Sequence, residues 1–198
     1  MPVTGRSRWP LAGTPSTHIL KPAAQRFPDA AANEVLCLRM ARELGRTVRL
    51  HQEDVGQALA EVATFTVAIG NADAHGKNLS LLLPPGGRIQ LAPLYDVKST
   101  RQYPDVAGPR GRARVSTELA MFIDGIRQID AVDTVALRVE ATRWHLAEDV
   151  DERIDGLLER FEGALEVAAD AVPQAPGTLI ERLRARARRL RDGSTAGG

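Results

Sequence analysis

Aromatic residues, cysteine and net charge are all scarce in this chain of 198 residues. Aromatics make up 4% of the residues, so a core must be built from Leu, Val, Ile and Ala. The single cysteine, Cys37, excludes an internal disulfide and fits a reducing compartment. It lies in the apolar pattern NEVLCLRMARELG, which favours a buried small hydrophobe over a reactive thiol. The formal charge of +1 argues neither for nor against a nucleic-acid partner.

Long apolar runs are absent as well. No run approaches the length that a membrane-spanning helix needs, and MPVTGRSRWPLAG at the start lacks the apolar centre of a signal peptide. We therefore expect a cytoplasmic protein with no membrane partner. The motifs G-x-S-x-G and G-x-x-x-x-G-K-[ST] do not occur, which argues against a typical hydrolase or P-loop protein. No H-x-x-x-H or C-x-x-C spacing supports a zinc site.

Apolar spacing and turn residues predict the local structure. Residues 17–22 predict a short strand that Pro22 ends. Two short apolar runs, 79–83 and 88–92, flank PPGG and predict a hairpin. Gly45 is a natural residue to end the first helix. Apolar residues at steps of three and four predict helices over 33–45, 51–70, 116–125, 131–147, 149–172 and 177–193.

The stretch between 69 and 100 concentrates polar chemistry at the two ends of the predicted hairpin. Asp73-Ala-His-Gly-Lys-Asn78 has the D-x-x-x-x-N spacing of the protein-kinase catalytic loop, in which the aspartate is the base and the asparagine binds metal. The hairpin would then carry Asp96 back beside this loop. The pattern therefore predicts Asp73 as the base and Asn78 and Asp96 as magnesium ligands. Turn and helix capping by these three residues explains the spacing equally well.

Five ordered blocks make this chain resemble the HipA family of serine/threonine kinases, the toxin halves of bacterial toxin–antitoxin pairs. The blocks lie between Ser16 and Thr100, and the resemblance continues more loosely through ELAMFIDG to IERLRARARRL. They read STHILKP, NEVLCLRMARELG, RLHQEDVGQAL, GNADAHGKNLSLLL and LAPLYDVKST.

The resemblance implies ATP and Mg²⁺ as cofactors, a protein substrate and a DNA-binding antitoxin as partner. It places Lys21 as the strand lysine on the ATP phosphates, and His75 and Tyr95 near the nucleotide. It also implies the catalytic and metal roles of Asp73, Asn78 and Asp96. Taken without it, Lys21 is more simply a solvated lysine at a strand end, and His75 could instead satisfy the loop backbone.

The resemblance further implies an α+β fold: a mostly helical kinase-like C-terminal lobe with a short catalytic β-hairpin and remnants of the N-terminal lobe. We expect one shortened domain over 1–192 and a disordered tail over 193–198. Residues 1–100 would carry the strand lysine, catalytic loop and metal aspartate, and residues 101–192 would be helical.

Parts of the family pattern are missing from this sequence. The glycine-containing segment of the form S-x-x-G-x-Q-x-K does not precede STHILK, and only four residues separate Gly45 from Leu50, where the family inserts the adenine-gripping hinge. Loss of those contacts lowers nucleotide affinity by roughly several kcal/mol. A catalytically inactive remnant that acts at most as a partner-binding module is therefore the alternative function. Nucleic-acid binding through RLRARARRLR (182–191) ranks last, because acidic helices upstream balance its charge.

Overall fold

A computed structural model describes residues 27, 29–47, 55–83, 90–108, 111–144 and 149–193, and these residues form an α+β fold that is mostly helical. The α-helices are α1 (Ala30–Thr47), α2 (Val55–Ile69), α3 (Thr134–Arg143), α4 (Val150–Asp170) and α5 (Gly177–Arg191). The strands are β1 (Leu81–Leu82), β2 (Gln90–Leu91), β3 (Asp105–Gly108), β4 (Gly111–Arg114), β5 (Glu118–Ile123) and β6 (Ile126–Gln128). Consecutive strands pair as three antiparallel hairpins. None of the helices in these ranges is both long and apolar enough to cross a membrane.

Helix α4 lies at the centre of the packing and contacts α1, α2, α3 and α5. Its buried side chains recur at steps of three and four: Val150, Ile154, Leu157, Leu158, Phe161, Ala164, Leu165 and Ala168. Phe161 is fully buried, and its ring centroid lies 6.4 Å from that of Phe65 on α2. Each large apolar side chain buried this way stabilises the fold by about 1.5–3 kcal/mol. The helical core is thus mainly aliphatic, as the scarcity of aromatics predicts.

A buried ion pair joins α2 to α4. Glu61 is 5% exposed, and its carboxylate accepts a hydrogen bond of 3.0 Å from Arg153. Nε of Arg153 also donates to Asp149 at 2.8 Å. Burial raises the pKa of Glu61, and the hydrogen bond from Arg153 opposes that rise. Removing one partner of such a pair leaves a buried charge at a cost of about 3–5 kcal/mol. The pair therefore holds α2, which leads into the candidate site, in one orientation against α4.

Arginines of α5 attach that helix to the rest of the chain. Arg186 is 6% exposed, and its guanidinium donates to the carbonyl oxygens of Val67 and Ile129 and to the Asp130 carboxylate. Burial lowers the pKa of Arg186 to about 10, and Asp130 opposes the shift, so the group keeps its charge at neutral pH. Further contacts join Arg182 to the carbonyls of Arg101 and Gln102, and Arg188 to Glu162 on α4. Arg184 pairs with Glu181 within α5 itself. The arginines of RLRARARRLR thus bind this chain itself.

The predicted hairpin after the D-x-x-x-x-N loop is present, with strands shorter than the apolar runs suggested. Leu81 pairs with Leu91 and Leu82 with Gln90. The helices predicted over 33–45, 51–70, 149–172 and 177–193 correspond to α1, α2, α4 and α5. Part of 131–147 forms α3. Strong apolar periodicity was sufficient to identify these elements.

The helix predicted over 116–125 is wrong, because this segment forms the hairpin β5–β6. Asp124 and Gly125 both have positive φ, 51° and 74°, and connect Ile123 to its partner Ile126. Two successive residues of this kind form the tight turn that Asp-Gly favours. Leu119 and Ile123 are both buried, and a spacing of four lies on one face of a strand as well as of a helix. The apolar spacing alone therefore could not separate the two structures.

Two further expectations need correction. Helix α1 does not end at Gly45 but continues to Thr47. The part from 101 onward is not wholly helical, because β3 to β6 occupy most of 105–128. The predicted strand over 17–22 lies outside the described residues, as do 194–198 of the predicted tail. The expectation of a single domain over 1–192 stays a prediction.

Candidate active site

The loop that carries Asp73 begins where α2 ends in a glycine-dependent turn. Gly70 has φ of 70°; its N–H donates to the carbonyl of Val67, and the N–H of Asn71 donates to that of Thr66, both at 3.0 Å. This pair of hydrogen bonds is the Schellman arrangement that ends helices at a left-handed residue. A Cβ at Gly70 would lie 2.7 Å from Cγ of Arg101. Glycine is therefore needed at this position for both conformation and space.

Backbone contacts fix the loop against the segment that follows Asp96. The Thr100 hydroxyl donates to the Gly70 carbonyl and accepts from the Ala72 N–H, each at 3.0 Å. The Ala72 carbonyl accepts from the N–H of Ala120 on β5 at 2.9 Å. Three segments that are distant in sequence are thus joined one residue before Asp73.

Asn78 is oriented by its own loop. Its Oδ1 accepts the N–H of His75 at 3.0 Å, and its N–H donates to the His75 carbonyl at 2.8 Å, across a short 3₁₀ turn over Gly76–Asn78. The capping role that was an alternative for Asn78 is therefore present. One lone pair of the amide oxygen is still free to bind a second partner. Capping and metal binding are compatible for this side chain.

Asp73 and Asp96 meet at one ammonium group. Nζ of Lys98 lies 3.6 Å from Oδ2 of Asp73 and 3.3 Å from Oδ1 of Asp96. The hairpin thus brings the predicted base and the predicted metal ligand side by side. Asp96 has φ of 55°, a left-handed conformation that aspartate tolerates and that recurs at functional sites.

Tyr95, which follows strand β2, attaches the end of the hairpin to the loop that carries Asn78. Its hydroxyl donates to the carbonyl of Lys77 and lies 3.3 Å from the Ser80 hydroxyl. Tyr95 as a residue is 42% exposed. It therefore holds the loop through its hydroxyl and remains partly open to solvent.

A partly open cavity borders the site. Its polar wall includes Asn78, Tyr95, Asp96 and His75, and its apolar wall comes from α2, the segment 94–97 and β5. Nδ1 of His75 is buried and has no hydrogen-bond partner among the described residues. Asp73 is not among the residues that line this cavity. The cavity is therefore lined by His75, Asn78, Tyr95 and Asp96, all of which were predicted site residues. Asp73 lies outside the lining, and Lys98 contacts both Asp73 and Asp96.

Asn33 on α1 supports the segment that carries Asp96. It is fully buried, donates from Nδ2 to the Ser99 carbonyl and accepts the Ser99 N–H on Oδ1, both at 2.9 Å. Cys37, one turn further on, is fully buried, and burial raises the pKa of its thiol to about 12. That environment agrees with the expected buried hydrophobe and excludes a thiolate nucleophile at neutral pH.

Sequence reasoning missed Lys98, Asn33 and Thr100. Lys98 had one available signal, its position two residues after the predicted metal ligand Asp96. Asn33 and Thr100 had none, because their partners are backbone groups far away in sequence. Lys21 lies outside the described residues, so its role on the ATP phosphates stays a prediction.

The residues present fit a magnesium ion that is bound together with phosphates. Within the described ranges, no group of three His, Cys, Asp or Glu side chains is placed to hold a metal by itself. Mg²⁺ commonly takes one or two carboxylates, with waters and substrate phosphates completing its shell. Asp96 and Asn78, which border the same cavity, could supply two oxygen ligands of that kind.

Comparisons with known proteins point to one family. The model of the HipA-like C-terminal domain matches residues 46–165. Y4mE of Sinorhizobium fredii, whose name carries the word kinase, is 28% identical over 186 aligned positions that cover 60% of this chain and 44% of that protein. The serine/threonine-protein kinase toxin HipA of Shewanella oneidensis is 38% identical over 68 residues, which are 34% of this chain and 13% of that protein.

A solved structure gives the same result for the fold. It contains HipA, HipB and operator DNA of the Shewanella oneidensis MR-1 toxin–antitoxin system, and matches with a TM-score of 0.52 at 23% identity. The match covers 69% of this chain and 30% of the solved chain. This chain therefore spans less than half the length of each of these relatives. The 186 positions aligned with Y4mE exceed the part of this chain that they cover, so Y4mE has stretches with no counterpart here.

Proposed function

Since this chain belongs to the family of HipA-like C-terminal domains, we propose that it is a serine/threonine kinase of HipA type. It would transfer the γ-phosphate of ATP to a serine or threonine hydroxyl of a protein, with magnesium as the second cofactor. The relatives named as kinases support this reaction class. Fold similarity alone does not establish activity, so the proposal depends on the site.

The observation that carries the proposal is the meeting of Asp73 and Asp96 at Lys98. The two carboxylates come from opposite ends of the hairpin, and each has an oxygen within 3.6 Å of the same Nζ. Phosphoryl transfer needs a carboxylate that orients the acceptor hydroxyl next to oxygen ligands for the metal. Asp73 would be that carboxylate and Asp96 would be one of the oxygen ligands, and both lie close to Nζ of Lys98.

Each residue of the chain would have a distinct task. Asp73, whose side chain is 61% exposed, accepts the hydrogen bond of the incoming hydroxyl and takes its proton as the new P–O bond forms and ADP leaves. Asn78 and Asp96 would hold magnesium, which supplies charge stabilisation on the β- and γ-phosphates when it is bound. Tyr95 attaches the hairpin to the loop. Lys21, His75 and Tyr95 would also contact the nucleotide, as the resemblance implies.

The partner follows from the same relationship. The solved relative is a complex of HipA with HipB and operator DNA. We propose by similarity that this chain is the toxin component of a toxin–antitoxin pair and binds a DNA-binding antitoxin. Contact with DNA would then be made by the antitoxin, since the arginines of α5 are engaged with this chain.

Thermal melting with ATP and magnesium tests the proposal. A ligand that binds only the folded state at 100 times its Kd stabilises that state by about 2.7 kcal/mol. We expect a magnesium-dependent rise in Tm with ATP that disappears in Asp96→Asn. The control is Asp124→Asn, which changes another aspartate of positive φ, held by Arg143 at 2.6 Å outside the site. A rise that survives in Asp96→Asn would contradict the metal role.

Phosphate transfer tests the base directly. The purified chain is incubated with radiolabelled ATP and magnesium, and the label on protein is followed in the wild type, Asp73→Asn and Asp124→Asn. We expect transfer to be lost in Asp73→Asn alone. Wild-type labelling in Asp73→Asn would refute the assignment of the base.

A second candidate function is a non-catalytic module that keeps only a partner-binding role. The stretches of Y4mE without a counterpart here favour it. In that case the wild type melts cooperatively, and millimolar ATP with magnesium leaves Tm unchanged. The same melting experiment therefore decides between the two functions.

A further inference from the structure

Lys98 is held between the two acidic groups of the site. Its Nζ lies 3.6 Å from Asp73 Oδ2 and 3.3 Å from Asp96 Oδ1. The side chains of Lys98 and Asp96 are 29% and 34% exposed, so solvent screens this pair less than an ion pair at the open surface. One ammonium thus compensates two carboxylates.

The backbone directs Lys98 to this position. Val97 and Ser99 are buried, whereas Asp96 and Lys98 alternate with them and point toward the site. Asn33 fixes the Ser99 backbone, and Thr100 binds the loop before Asp73. The lysine therefore lies on the same segment as Asp96, and the hydrogen bonds of Ser99 and Thr100 hold that segment next to the loop that carries Asp73.

A divalent cation and this ammonium require the same oxygens. A cation bound to Asp96 must either displace Nζ from that carboxylate or share the carboxylate with it against Coulomb repulsion. The positive charge of Nζ therefore opposes binding of the cation at Asp96.

We propose that Lys98 is an internal counter-ion that competes with the metal and keeps metal affinity low until nucleotide phosphates are present. The inference rests on the proposed function, because it takes Asp96 to be a metal ligand. Lys98 acts here as a positioning and regulatory residue: it stabilises the two carboxylates in the absence of nucleotide and opposes metal binding at Asp96.

Binding of Mn²⁺ without nucleotide tests this inference, with free Mn²⁺ followed by electron paramagnetic resonance. In Lys98→Met we expect Mn²⁺ to bind about 2- to 30-fold more tightly than in the wild type, the range that corresponds to the loss of two partly exposed ion-pair contacts. Lys98→Gln is the second variant that removes the charge, and Lys98→Arg should retain the wild-type affinity. Lys77→Met is the matched control, because it removes an exposed lysine charge from the loop that carries Asp73 and Asn78.

The outcomes separate the inference from the proposed function. Equal tightening in Lys77→Met and Lys98→Met overturns the inference, since the effect is then one of net charge. Unchanged or weaker binding in both Lys98→Met and Lys98→Gln, when Asp96→Asn still abolishes binding, overturns the inference alone. Mn²⁺ binding that Asp96→Asn does not affect overturns the metal site and the inference with it. A rise in Mn²⁺ affinity that is confined to Lys98→Met and Lys98→Gln supports the inference.

Discussion

Replacing Asn33 by alanine should weaken both the fold and the segment that carries Asp96. The Asn33 side chain is fully buried on α1 and binds both backbone groups of Ser99, each at 2.9 Å. Ser99 itself is 2% exposed, so water cannot replace the lost partner. The substitution therefore leaves one N–H and one C=O unsatisfied inside the protein.

The magnitude follows from these two orphaned groups. Leaving a buried backbone donor or acceptor without a partner costs about 1–3 kcal/mol, so the two groups together predict a loss of about 2–6 kcal/mol in the free energy of unfolding. Domains of this kind are stable by about 5–15 kcal/mol, so the variant should still fold but with a much smaller margin.

Urea denaturation measures the loss. The wild type, Asn33→Ala and Val35→Ala are unfolded at equilibrium, and the midpoint and slope m are compared. Val35 lies on the same helix and is 40% exposed, and alanine has the higher helix propensity, so Val35→Ala should change stability by less than about 0.5 kcal/mol. A loss below about 1 kcal/mol for Asn33→Ala at unchanged m would refute the reasoning.

Two substitutions and one labelling experiment probe the residues around the site. Gly70→Ala should destabilise by about 1–2 kcal/mol from positive φ alone, and more because its Cβ would meet Arg101 at 2.7 Å; a melt at the wild-type temperature would contradict this. Thr100→Val orphans the Ala72 N–H and should cost about 1–3 kcal/mol in urea unfolding, whereas Thr142→Val on the exposed face of α3 should cost under about 0.5 kcal/mol. Cys37 should react with a thiol reagent at pH 8 only after unfolding, and rapid labelling of the native protein would be the contrary result. Because the pKa of the Cys37 thiol is about 12 in the folded protein and 9.0 ordinarily, its contribution to stability is complete below pH 9. That contribution is lost as the pH rises towards 12.

Elements with long periodic patterns could be predicted from the sequence. Helices α1, α2, α4 and α5 have apolar residues at steps of three and four, and the hairpin β1–β2 has two apolar runs around a turn. The hairpin β5–β6 was mistaken for a helix because its buried residues, Leu119 and Ile123, are four apart. The Asp124-Gly125 dipeptide was the signal that could have corrected the prediction.

The candidate site divides in the same way. The spacing of Asp73 and Asn78 is local, and the short hairpin limits how far Asp96 can lie from them, so the sequence by itself determined which polar groups could act together. Their order along the chain also carries the resemblance to the family.

Only the tertiary structure decided what surrounds those groups. Lys98 bridges the two carboxylates, Asn33 satisfies Ser99, and Thr100 joins the end of α2 to the loop. Each contact pairs side chains or backbone groups that are separated by other elements, and its energy depends on distance and burial that no local pattern encodes. The sequence thus determined the chemical groups of the site, and the packing of α1, α2 and the hairpin determined their charge balance and geometry.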